Sequence, residues 1–166
     1  MRRPHHSDVV NRLLDVGYHH LATLVEKIIS EKDISPSLGL IHHAQSATSK
    51  PLVYDLMELF RADTVDFTLL RYLRLKKKPI ILDEVGGHIG HFLHEVNKTL
   101  DRLFYLHDFA QCHKYGYYMN LQVVKFIKAI NRQEVFGPLM LPRRHDSRCN
   151  TRKRDQPQKV DTRDTP

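Results

Sequence analysis

Hydrophobic residues recur at steps of three and four along much of the chain, a spacing typical of amphipathic helices. The first such pattern predicts a helix from about Asp8 to Ser30, with Ser7 or Asp8 as its N-cap. Pro36 ends this pattern, because proline disfavours helical torsions in the residue before it. A second helix is predicted to begin at Pro51, since proline is well tolerated in the first helical turn.

Three further helices are predicted from the same spacing. One is capped by Asp63 or Thr64 and ends before Pro79, one runs from about His88 to Phe109, and one covers about 118–135. On the last helix the residues expected to face inward are Leu121, Val124, Ile127 and Ile130. Residues 79–87 fit either a short strand or a buried turn. The predicted fold class is therefore mainly α, a single multi-helix domain over residues 1–142.

The charge of the chain is concentrated at one end. The sequence has 166 residues with 26 Lys and Arg against 19 Asp and Glu, a net charge of +7, and residues 143–166 carry +4 of it. Few apolar residues occur in that segment, so we expect a disordered basic tail. The basic excess favours a polyanionic partner, nucleic acid before membrane.

Composition also restricts the compartment. The two cysteines, Cys112 and Cys149, give no disulfide framework, which is typical of a reducing cytoplasm. No apolar run reaches the roughly 18 residues of a membrane helix, so we expect a cytoplasmic protein without a membrane partner.

Candidate metal chemistry lies within residues 38–61. Asp55 and Glu58 are three apart on the predicted Pro51 helix, which places them one turn apart, and His42 lies on the preceding segment. Oxygen and imidazole donors converging from two elements suit a divalent cation such as Mg²⁺ or Mn²⁺. Against this stands the simpler interpretation of a surface histidine and helix-face acids.

Other polar clusters have competing interpretations. His88, His91 and His94 are spaced by three, but exposed histidines explain them better than a transition-metal site. Tyr115, Tyr117 and Tyr118 beside Lys114 suit core packing better than base stacking. Six cations are candidate DNA phosphate contacts or solvated helix faces: Lys76, Lys77, Lys78, Lys125, Lys128 and Arg132.

Four motifs in order resemble the family of the CRISPR-associated spacer-acquisition endonuclease, the first-numbered Cas protein. They are Arg2-Arg3-Pro4, residues 8–14 with Gly17-Tyr18, residues 35–42, and residues 51–61. The resemblance is strong over about the first 75 residues. It implies a metal-dependent endonuclease and integrase that inserts spacers into a CRISPR array, in the antiviral defence of a prokaryotic cytoplasm.

The resemblance also implies ligands and partners. His42 and Glu58 match the family's metal ligands for Mg²⁺ or Mn²⁺, and Asp55 matches its neighbouring catalytic acid. The implied partners are double-stranded DNA, as protospacer and CRISPR array, the small second-numbered Cas protein, and a second copy, since the full-length family forms homodimers.

One departure from the family pattern limits these expectations. The family's third ligand, a glutamate, and its N-terminal β domain lie upstream of the Arg-Arg-Pro motif, so no residue here matches that glutamate. We therefore expect the C-terminal α-helical part of such an enzyme, lacking the β domain and inactive alone. The alternative is a non-catalytic helical DNA-binding or assembly fragment, and a third reading is a gene remnant that does not fold stably.

Overall fold

The computed structural model of the chain describes residues 8–32, 34–37, 46, 49–76, 78–81, 84–106 and 111–138. Over these residues the fold is mainly α, as predicted. The helices are α1 (Val9–Ser30), α2 (Pro51–Arg61), α3 (Phe67–Arg74), α4 (Val85–Leu100) and α5 (Tyr115–Arg132). A π-helical segment, Ala62–Asp66, joins α2 to α3, and two short strands, β1 (Leu103–Leu106) and β2 (Gln111–Lys114), lie between α4 and α5.

Helix α1 begins and ends where the sequence predicts. Asp8 is its N-cap, and its carboxylate accepts a hydrogen bond of 2.9 Å from the Asn11 backbone N–H. This bond satisfies one of the N–H groups that have no partner inside the first turn. The buried residues of α1 repeat every fourth position and form one continuous stripe: Leu13, Gly17, Leu21, Val25 and Ile29.

Helix α2 also begins at the predicted residue, with Pro51 in its first turn. The predicted break after it is wrong, because the helical path continues through the π segment into α3 without a cap at Asp63 or Thr64. The Phe67 N–H reaches the Ala62 carbonyl, five residues back, and the buried Thr64 hydroxyl donates to the Phe60 carbonyl at 2.8 Å. These bonds accommodate the wider turn inside a continuous helix.

The prediction for α4 is wrong at both ends. The helix starts at Val85, includes two glycines of the stretch assigned to a strand or turn, and ends at Leu100. The chain then forms an antiparallel hairpin in which Leu103 pairs with Lys114 and Leu106 with Gln111. Residues 107–109, also assigned to this helix, lie outside the described residues.

The buried core lies between α1, α2, the π segment, α4 and α5. Its largest fully buried side chains include Leu13, Phe60, Phe92, Tyr115 and Met119. Helix α5 faces this core with Tyr118, Met119, Gln122, Val123 and Phe126, whereas Ile130, predicted to face inward, is 48% exposed. Leu121 and Ile127, also predicted to face inward, are partly buried and pack against the core, so the prediction is wrong for Ile130 and misses the fully buried Gln122.

The structure bears on two expectations, the absence of a membrane helix and the absence of a disulfide framework. Within the described part of the chain, every helix is too short or too polar to cross a bilayer. Cys112, on β2, is disulfide-bonded, whereas the sequence predicts no disulfide framework. Cys149 lies outside the described residues.

Candidate functional site

Helix α2 gives its two acidic side chains different surroundings. Asp55 is buried, with 7% of its surface exposed, and is the one carboxylate among the buried described residues. Glu58, one turn later, has 44% of its side chain exposed. The candidate ligand His42 lies outside the described residues. The structure therefore places Asp55 against the interior and Glu58 at the surface of the same helix.

The carboxylate of Glu58 is held by Arg61. The Arg61 guanidinium donates a hydrogen bond of 2.8 Å from its Nη1 to Oε1 of Glu58. The same guanidinium lies 3.7 Å from Oδ2 of Asp66 and 5.3 Å above the ring centre of Tyr18. Tyr18 in turn donates a hydrogen bond of 2.6 Å from its hydroxyl to Oδ1 of Asp66. We call Tyr18, Glu58, Arg61 and Asp66 the Arg61 cluster.

A second acid of the π segment, Asp63, is exposed but contacts a core tyrosine. Asp63 accepts a hydrogen bond of 3.4 Å from the hydroxyl of Tyr115, whose side chain is fully buried. Burial raises the pKa of the Tyr115 phenol far above its usual range, and the negative charge of Asp63 raises it further. Tyr115 therefore stays protonated and acts as a hydrogen-bond donor.

The donor chemistry of α2 fits a hard divalent cation. No group of three His, Cys, Asp or Glu side chains with ligand geometry occurs among the described residues. Glu58 presents an exposed carboxylate whose Oε2 has no described partner, since Arg61 occupies Oε1. Carboxylate oxygen is the donor that Mg²⁺ and Mn²⁺ prefer, and Mg²⁺ usually keeps several waters beside one or two carboxylates. The Glu58 carboxylate is therefore a group of the kind that such an ion binds.

The candidate phosphate contacts fall on two separate elements. Lys125, Lys128 and Arg132 are all exposed along α5, as the spacing predicts. Lys78 is exposed in the loop before α4, and Lys76 is half-buried, with its Nζ 4.5 Å from the ring centre of Tyr72. Lys77 lies outside the described residues.

The histidine run on α4 is partly engaged in packing. Nδ1 of His88 lies 2.9 Å from the Tyr72 hydroxyl, and the two rings meet edge to face. Of the three tyrosines near the start of α5, Tyr115 and Tyr118 are buried. Tyr117 is 42% exposed and stacks on His113 with 4.1 Å between ring centres. Two of the three tyrosines therefore belong to the core.

Sequence reasoning missed the Arg61 cluster around Glu58. Arg61 and Tyr18 lie inside motifs that the sequence singles out, but nothing in their spacing indicates that they meet. Helical spacing does not predict a contact between Asp66 and Arg61, because a regular α-helix would place the two side chains on different sides. Only knowledge of the π turn would have predicted this contact.

Comparisons with known proteins agree on one family. A family model described as CRISPR associated protein Cas1 matches residues 1–99. The CRISPR-associated endonuclease Cas1 1 of Francisella tularensis subsp. novicida (strain U112) is 28% identical over 92 residues, which cover 50% of this chain and 29% of that protein.

A solved structure shares the fold. A CAS1 protein from Thermotoga maritima superposes with a TM-score of 0.69 at 20% identity, covering 82% of this chain and 44% of that one. At this identity the likeness establishes the fold alone. This chain spans less than half the length of either relative.

Proposed function

This chain belongs to the CRISPR associated protein Cas1 family, and from that premise we propose that it is the α-helical part of a metal-dependent DNA endonuclease and integrase for spacer acquisition. We assign Glu58 and His42 as ligands of Mg²⁺ or Mn²⁺, with Asp55 as a supporting acid. The observation that carries this proposal is the family match over residues 1–99, which includes all three positions. The surface position of the Glu58 carboxylate supports it.

The proposed roles follow from the chemistry of these groups. A bound divalent cation would supply Lewis acidity at the scissile phosphate and stabilise the charge that develops there. Glu58 contributes an anionic oxygen from a rigid helix. Asp55, which is buried one turn before Glu58 on the same helix, supports the site from the protein interior.

We propose that cleavage and joining also require the family's third ligand, a glutamate, and its N-terminal β domain. The experiment mixes this chain with the N-terminal β domain of a Cas1 protein and DNA. Manganese-dependent nicking or integration should appear in the mixture, be lost in Glu58→Gln and persist in Glu134→Gln, a change of another exposed carboxylate. Two folded pieces that show no activity together would refute the proposal.

A second function is favoured by a specific observation. Lys125 and Lys128 are exposed on α5 and form no ion pair with other described residues, so both are available to phosphates. The chain would then act as a non-catalytic DNA-binding or assembly module. In that case DNA affinity should be unchanged by a chelator and by His42→Ala. A strong loss of binding on chelation would count against this function and favour the first.

A further inference from the structure

Arg61 lies between two carboxylates of different roles. Its guanidinium donates to Oε1 of Glu58 at 2.8 Å and approaches Oδ2 of Asp66 at 3.7 Å. Arg61 and Asp66 are each more than half buried, with 40% and 34% of their side chains exposed. A guanidinium has several N–H donors in a planar fork, so it can serve two acceptors at once.

The π segment is what brings Asp66 to Arg61. In a regular α-helix, residues five apart lie about 140° apart around the axis, so their side chains diverge. In the π segment the bonding reaches five residues back, from the Phe67 N–H to the Ala62 carbonyl. The wider turn returns Asp66 to the side of Arg61. Such single π turns inside α-helices frequently occur at functional sites.

A second helix fixes this arrangement from outside. Tyr18 on α1 donates its hydroxyl to Asp66 at 2.6 Å, and its ring lies under the Arg61 guanidinium. Tyr18 can reach both groups because its neighbour Gly17 lets α1 approach the π segment closely. A Cβ at Gly17 would lie 2.7 Å from Cγ1 of Val65. Asp66 and Tyr18 therefore hold the Arg61 guanidinium on two sides, in addition to its hydrogen bond with Glu58.

We infer that Arg61 is a positioning residue for the proposed metal ligand Glu58, and that the π turn exists to hold it there. Arg61 occupies Oε1 of Glu58 and fixes the carboxylate, which leaves Oε2 for a divalent cation. This inference rests on the proposed function. Partners that orient a metal-binding carboxylate commonly change metal affinity by about 10- to 100-fold when they are removed.

The charge of the Arg61 cluster decides the sign of the effect. A lone arginine beside a carboxylate would repel a cation and weaken its binding. Here Asp66 compensates Arg61, so Glu58, Arg61 and Asp66 together carry a net charge of −1 and still attract a cation. Orientation of Glu58 is thus obtained without cancelling its charge.

The test measures Mn²⁺ binding by the 166-residue chain, through the loss of the free Mn²⁺ EPR signal, with no DNA present. Arg61→Ala should raise the Kd about tenfold or more. Arg61→Lys should give a smaller rise, since it keeps the charge and loses the fork. Asp66→Asn should also weaken binding, although Asp66 does not contact Glu58. Arg71→Ala removes an arginine that pairs with Glu95 at 3.1 Å and should leave Kd unchanged.

The outcomes separate this inference from the proposed function. If Glu58→Gln lowers Mn²⁺ affinity and Arg61→Ala does not, Glu58 is a ligand and the role of Arg61 is refuted. An increase in affinity for Arg61→Ala would show that Arg61 competes with the metal, and would also refute it. If Glu58→Gln has no effect, or the wild-type chain takes up no Mn²⁺, the proposed ligand set fails and this inference fails with it. Melting temperatures recorded in parallel separate these effects from unfolding.

Discussion

Gly17 lies where α1 crosses the π segment and α4, and its substitution by alanine tests how tightly these elements pack. The new Cβ would lie 2.7 Å from Cγ1 of Val65 and 3.1 Å from Cε1 of Phe92, both fully buried side chains. Contact with Val65 must lengthen by about 0.7 Å to become ordinary. Val65 cannot easily yield, because a β-branched side chain has one strongly preferred rotamer in a helix.

Two opposing effects set the magnitude for Gly17→Ala. Overpacking a buried contact costs about 1–3 kcal/mol. Replacing glycine by alanine inside a helix contributes about 0.5–1 kcal/mol of stability. The two ranges together give a net loss of up to about 2.5 kcal/mol in the free energy of unfolding. For a chain of this length that corresponds to a fall in Tm of up to about 10 °C.

The assay is thermal and urea unfolding followed by circular dichroism, with a matched control. Gly90→Ala changes another glycine inside a helix, where a Cβ would meet nothing within 4 Å, so it should raise stability by about 0.5–1 kcal/mol. In the double variant with Val65→Ala, the loss caused by Gly17→Ala should shrink, since the closest atom is gone. A Gly17→Ala variant that is stabilised as much as Gly90→Ala would refute the reasoning.

Two further predictions concern titration and charge. Because burial and Asp63 raise the pKa of Tyr115, the folded chain keeps this proton after the unfolded chain loses its own above about pH 10. The free energy of unfolding should therefore fall above pH 10 by up to about 1.4 kcal/mol per pH unit because of this group. Tyr115→Phe should remove this contribution in urea unfolding between pH 8 and 11, and an unchanged slope of unfolding free energy against pH would contradict the prediction. Replacing Lys125 and Lys128 by alanine should lower the salt dependence of double-stranded DNA binding by up to about two units of log–log slope, measured against Lys32→Ala, and an unaltered slope would exclude this face.

Local signals predicted the parts of the fold that local chemistry determines. Asp8 and Pro51 carry side-chain and torsional preferences that start a helix wherever the surrounding chain permits it, so α1 and α2 begin at the predicted residues. Leu103 and Phe104 fit a helical period as well as a strand. Leu103 pairs with Lys114 and Phe104 with His113, 11 and 9 residues further along the chain, and hydrophobic periodicity does not indicate such a pairing.

The inner face of α5 shows a different limit of hydropathy. The predicted face and the observed face both repeat at helical spacing, so spacing alone cannot choose between them. The observed face contains Gln122, which is fully buried, and the predicted one contains Ile130, which is half exposed. A polar residue in the core and an apolar residue at the surface both lead hydropathy to predict the wrong buried face. The cations of α5 were nevertheless predicted to face solvent, since long charged side chains rarely occupy a core.

The candidate site illustrates why motifs identify residues better than they identify relationships. The Gly17-Tyr18 motif and the Pro51 helix are separated by more than 30 residues, and each is recognisable by itself. In the structure they meet on the π segment, because Gly17 admits Val65 and Tyr18 bonds to Asp66. The contact between the two motifs depends on one extra residue in a helical turn, and hydrophobic periodicity does not predict such an insertion. If the Arg61 cluster works as inferred, then Gly17→Ala, which displaces Val65 rather than any ligand, should also weaken Mn²⁺ binding through Tyr18 and Arg61.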